Sequence, residues 1–134
     1  QQIWKIWHEI DDPKISRAFE TGVQMMNLGF YSRAIDYFDK VIIETPNFAE
    51  AWNKRATAHF MMGNFDLSMR DIINTLELEP RHFGALDGMG LIFIHLNQPE
   101  KAIDIYDKML EIFPNNNSTK IKKDRILSLT TQST

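Results

Sequence analysis

Residues 51–80 read AWNKRATAHFMMGNFDLSMRDIINTLELEP, and the fold is decided in this stretch. Ala51, Trp52, Ala56, Ala58, Phe60 and Met61 mark a helical stripe rather than a strict alternation. Gly63 and Asn64 break that helix, and a second stripe runs through Phe65, Leu67, Met69, Ile72, Ile73 and Leu76. Pro80 closes the stretch, because the residue before a proline is pushed out of helical geometry. The reading is one helix, a tight turn and a second helix.

The same hairpin recurs on both sides. Pro46, Pro80 and Pro114 stand 34 residues apart. Gly29 and Gly63 keep that interval, and Asn97, which tolerates left-handed backbone, falls where a third glycine would be. Small residues repeat at Gly22, Ala56 and Gly90, and again at Ala34, Ser68 and Ala102; bulky ones repeat at Phe38, Ile72 and Tyr106. Tyr31 and Phe65 match as well, with Pro99 the exception. Several independent columns agree on one period, which is the signature of a repeat architecture. The repeats span 15–48, 49–82 and 83–116, with segments 1–14 and 117–134 at the ends. Asp12 and Pro13 supply an N-cap and a first-turn proline for the opening helix. A single hairpin cannot bury its apolar side, whereas stacked hairpins can. No segment alternates as a strand does. The expectation is an all-α solenoid of three helix–turn–helix repeats, forming one folded domain, with an extra amphipathic N-terminal helix and a C-terminal capping helix.

The segments AFETGVQMMNLGFYSRAIDYFDKVIIETP, AWNKRATAHFMMGNFDLSMRDIINTLELEP and ALDGMGLIFIHLNQPEKAIDIYDKMLEIFP resemble consecutive tetratricopeptide repeats (TPR). The resemblance covers three-quarters of the chain. It departs where Ala18 and Leu86 replace the family's early tryptophan, present here as Trp52, and where Asn97 and Pro99 replace the turn glycine and aromatic. WNKRA together with EPRHFGAL is similar to small bacterial TPR proteins. Such a resemblance implies a right-handed superhelix whose first helices line a concave groove that holds peptides. Carried over by position, the groove residues are Phe19, Val23 and Asn27, then Glu50, Asn53, Lys54, Thr57 and Met61, then Asp87 and Leu91. Chaperone-binding members clamp a C-terminal carboxylate with two lysines, two asparagines and an arginine. At those places this chain has Phe19, Val23, Lys54, Gly84 and Gly88. One cation remains, so an acidic tail is a poor ligand and an amphipathic or apolar segment a better one.

Composition narrows the alternatives. A net charge of -3 over 134 residues disfavours broad attraction to nucleic acid, and no run approaches the length needed to cross a bilayer. With no cysteine there is neither a disulfide nor a zinc–thiolate site, and the compartment stays open between cytoplasm and export. The histidines His8, His59, His82 and His95 lack the paired spacing of a helical metal site. The glycines at 84, 88 and 90 follow no strand, so a phosphate loop is excluded. Asp104, Asp107 and Glu111 describe a solvated helix face. No enzyme and no cofactor are expected.

The ends carry the remaining signals. Trp4, Trp7 and Ile10 lie in an apolar stripe with Ile3 and Ile6, a large load to leave in water, and mark a packing or self-association helix that makes a homodimer conceivable. Near the C-terminus, Lys120, Lys122, Lys123 and Arg125 follow an acidic third repeat, which suggests local charge complementarity. The function expected is a protein or peptide partner held in the groove. The alternative is an assembly subunit acting through the tryptophan-containing segment.

Overall fold

The computed structural model describes residues 12–132, and among them are seven helices and no strand: α1 Pro13–Asn27, α2 Tyr31–Glu44, α3 Ala49–Met61, α4 Phe65–Leu78, α5 Phe83–His95, α6 Pro99–Ile112 and α7 Asn117–Gln132. The helix expected over 1–14 falls mostly outside the described residues, and so do Trp4, Trp7 and Ile10. Residues Pro13 and Lys14 already belong to α1. As anticipated, the Asp12 carboxylate accepts from the Lys14 backbone N–H at 2.8 Å, with Pro13 in the first turn.

Left-handed residues make the hairpin turns. Gly29, Gly63 and Asn97 have φ of 85°, 79° and 58°. The backbone N–H after each, from Phe30, Asn64 and Gln98, donates back to the carbonyl of Met25, His59 or Phe93 at 2.8 Å. This is the six-residue closure that satisfies a helix's last carbonyls. Asparagine tolerates the left-handed region well enough to stand in for glycine in the third turn. All-α helical repeats are thus formed by three hairpins, α1–α2, α3–α4 and α5–α6.

The chain packs as two compact units, Gln1–Pro80 and Arg81–Thr134. In the first, α2 lies against α3 as well as α1, and α1 also touches α3. Its core is Phe19, Ala34, Phe38, Val41, Ile42, Phe48 and Ala51. In the second, α6 is packed between α5 and α7, over Leu86, Ile92, Ala102, Tyr106 and Met109.

Close approach within each hairpin depends on the small-residue column. A Cβ on Gly22 would stand 2.6 Å from Phe38 Cε1, and one on Gly90 would stand 2.8 Å from Tyr106 Cε1. Both rings are fully buried. In the middle hairpin the corresponding residues are Ala56 and Ile72, also buried, so a larger first residue goes with a slimmer second one. Ser68 adds a polar stitch there, its hydroxyl donating to the Ala56 carbonyl at 2.7 Å.

Candidate functional site

Helix α3 has two working sides. One carries Glu50, Asn53, Lys54, Thr57 and Met61, spaced three or four apart so that they share a helix face. Thr57 and Met61 are exposed and the other three half-buried. The Asn53 amide donates to Glu50 Oε1 at 3.2 Å, and the Thr57 hydroxyl donates to the Asn53 carbonyl at 3.1 Å. In the same unit α1 contributes Val23, half-buried, and Asn27, exposed. These seven expected residues therefore belong to one unit, on two helices in contact.

Phe19 does not join them, and its assignment to the groove is corrected. It is 6% exposed, with its ring 5.8 Å from that of Phe38 and 5.0 Å from that of Phe48. An aromatic side chain at this register gains more from the core than from water, and α2 and Phe48 close over it.

The other side of α3 is a lock that the sequence reading missed. The Arg55 guanidinium donates from Nε and Nη2 to Asp71 of α4, both at 2.9 Å, and from Nη1 to Asp39 of α2 at 2.8 Å. It also lies 5.1 Å from the Trp52 ring centroid, and the Trp52 indole N–H donates to the Pro46 carbonyl at 2.8 Å. Hydrogen bonding to Asp71 raises the Arg55 pKa further, against the opposing effect of burial. Nearby His59 has its pKa lowered, chiefly by burial, although the charge of Asp71 opposes this. Its Nε2 is 4.0 Å from Asp71, and Nδ1 is buried without a hydrogen-bond partner. This places His59 in packing between helices. One guanidinium thus fixes α3 to α2 and α4.

The second unit holds Asp87 and Leu91, the remaining expected site residues, on α5. Leu91 is half-buried. The Asp87 carboxylate accepts from Lys122 Nζ of α7 at 2.8 Å, so a ligand would have to compete for it. A second pair, Lys123 with Asp107 at 2.6 Å, ties α7 to α6. The charge complementarity anticipated between the third repeat and the closing segment takes this form. His82 caps α5, its Nδ1 accepting from the Ala85 backbone N–H at 3.0 Å. Among the described residues no group of three histidine, aspartate or glutamate side chains could hold a metal ion. None of their helices is long and apolar enough to cross a membrane.

Comparison with known proteins agrees with this architecture. The sequence profile of the tetratricopeptide repeat matches residues 84–116. A TPR repeat-containing protein of Rhizobium etli is 43% identical over 81 residues, which are 60% of this chain and 40% of that protein. The chain thus spans two-fifths or less of the length of such curated relatives. Among solved structures, the first TPR of Spaghetti (RPAP3) bound to the HSP90 peptide SRMEEVD superposes with a TM-score of 0.82 and 24% identity, over 91% of this chain and 97% of that one. The second TPR domain of human RPAP3, in complex with the HSP70 peptide SGPTIEEVD, gives a TM-score of 0.75 and 19% identity, over 81% and 91%. The fold is that of a TPR domain, and the chain is similar to bacterial TPR proteins.

Proposed function

We propose that this TPR-fold chain is a non-enzymatic interaction scaffold that holds a protein segment along the α1–α3 face of its first unit. The observation that carries the reading is the row Glu50, Asn53, Lys54, Thr57 and Met61, kept out of the core on a helix that Arg55 ties to α2 and α4. Asparagine offers both donor and acceptor to a peptide backbone, lysine offers a charge, and Val23 and Met61 offer apolar contact. That two structural neighbours hold chaperone peptides supports a protein segment as the ligand class.

The segment differs from those acidic tails in chemistry. Where chaperone-binding members place their carboxylate clamp, this chain has Phe19 in its core, together with Val23, Gly84 and Gly88. Lys54 alone supplies a positive charge. An amphipathic segment with at most one carboxylate fits this chemistry.

The test starts from a partner captured in native cells by a photocrosslinker placed at Thr57. Its affinity for Asn53→Ala/Lys54→Ala should fall about 10–100-fold, the range expected for losing a central pair of contacts. The folded state, read by circular dichroism, should be unchanged. An unaltered affinity for the double variant would remove the α1–α3 face from consideration.

A further inference from the structure

Helix α7 closes the second unit but leaves apolar side chains uncovered on its outer side. It pairs with α5 and α6 through Lys122 and Lys123, and its buried side chains are Thr119 and Ile126, the latter the one large apolar side chain buried on it. On the far side, Ile121 and Leu129 are each 57% exposed, with exposed Arg125 midway between them. These three stand four apart and form one strip. They also sit 68 residues after Asn53, Thr57 and Met61, so they hold the same repeat-register positions as those residues.

We infer that Ile121, Arg125 and Leu129 form a docking strip for residues 1–11 of a second copy of this chain. The complementarity is chemical and dimensional. Residues 1–11 carry Ile3, Ile6, Trp7 and Ile10 at helical spacing, with Glu9 and Asp11 beside them. The strip offers two apolar side chains around the Arg125 guanidinium, with Lys120 on the same helix, while Lys122 and Lys123 are engaged by Asp87 and Asp107. Eleven residues wound as a helix span about 16 Å, enough to cover the roughly 12 Å from Ile121 to Leu129. An apolar stripe laid on an apolar strip is the usual way an amphipathic helix docks. The donor and acceptor surfaces are different patches, so the contact is head-to-tail, and assembly can proceed beyond two copies. It is independent of segment binding by the first unit, because it uses neither α1 nor α3.

Sedimentation velocity over a wide concentration range tests it. The unaltered chain should grow in mass with concentration past the dimer. Trp4→Ala/Trp7→Ala, which lacks the donor, should stay monomeric, and so should Ile121→Glu/Leu129→Glu, which lacks the acceptor. Both should keep their circular dichroism, since the acceptor side chains are exposed. Mixing the two variants should restore a one-to-one complex and nothing larger, because one intact donor meets one intact acceptor. The inference is overturned if the unaltered chain is monomeric throughout, if either variant assembles alone, or if the mixture remains monomeric.

Discussion

Tyr106 is fully buried, and its hydroxyl finds no hydrogen-bond partner. Burial, with a smaller contribution from the charge of Asp87, pushes the phenol up to about 12. In the unfolded chain a tyrosine titrates near 10, so between those values the unfolded state loses its proton first. Stability from this group is therefore complete below about pH 10 and is lost as pH rises toward 12, by roughly 2–3 kcal/mol. Tyr106→Phe should abolish that loss and cost little at neutral pH, because it deletes an unpaired buried hydroxyl. Urea midpoints for both proteins at pH 7.5 and pH 11 decide it, and an equal alkaline drop in both would refute the assignment. At this scale the sequence was only partly legible. The small-residue column picked out Gly22 and Gly90, and each lies directly against a buried aromatic ring. Phe19 misled, because its register matches Asn53 and Asp87 while its side chain belongs with Phe38 and Phe48.

Between elements, the Asp39–Arg55–Asp71 cluster governs how α2, α3 and α4 sit together. The two carboxylates are not equivalent: Asp71 is 5% exposed at its side chain and Asp39 45%. Removing the guanidinium strands a buried charge, whereas removing Asp39 loses a partly solvated partner. Arg55→Ala should therefore cost about 2–4 kcal/mol and Asp39→Ala about 0.5–1 kcal/mol. Thermal denaturation of the two variants checks the ranking, and equal costs would show that burial does not set the difference. Nothing in the repeat pattern announced this cluster. Moving 34 residues on from Asp39, Arg55 and Asp71 reaches Ile73, Met89 and Ile105, so alignment of the repeats averages it away. Helices and turns were legible because their causes are local and recur three times. An ion pair made once, between residues 16 apart, has no such echo.

Over the whole molecule, each compact unit has its own core, and α7 belongs to the second. Deleting residues 117–134 would uncover Asp87 and Asp107 and remove Ile126 from the interior. The loss should be about 2–4 kcal/mol, mostly from Ile126 with a little from the two ion pairs. Hydrogen exchange locates it: protection should fall in α5 and α6 and persist in α1 to α4. Uniform loss of protection would mean that the stability of α1 to α4 depends on α7.

The matched pairs Gly22 with Phe38, Ala56 with Ile72 and Gly90 with Tyr106 have a historical corollary. Neither member of a pair can drift freely, since a methyl gained on one side demands atoms surrendered on the other. Duplication, deletion or shuffling at the prolines transmits both members together and keeps them compatible. Crossovers inside a hairpin would unite a ring from one lineage with an alanine from another. Descent by whole hairpins is the route this packing leaves open.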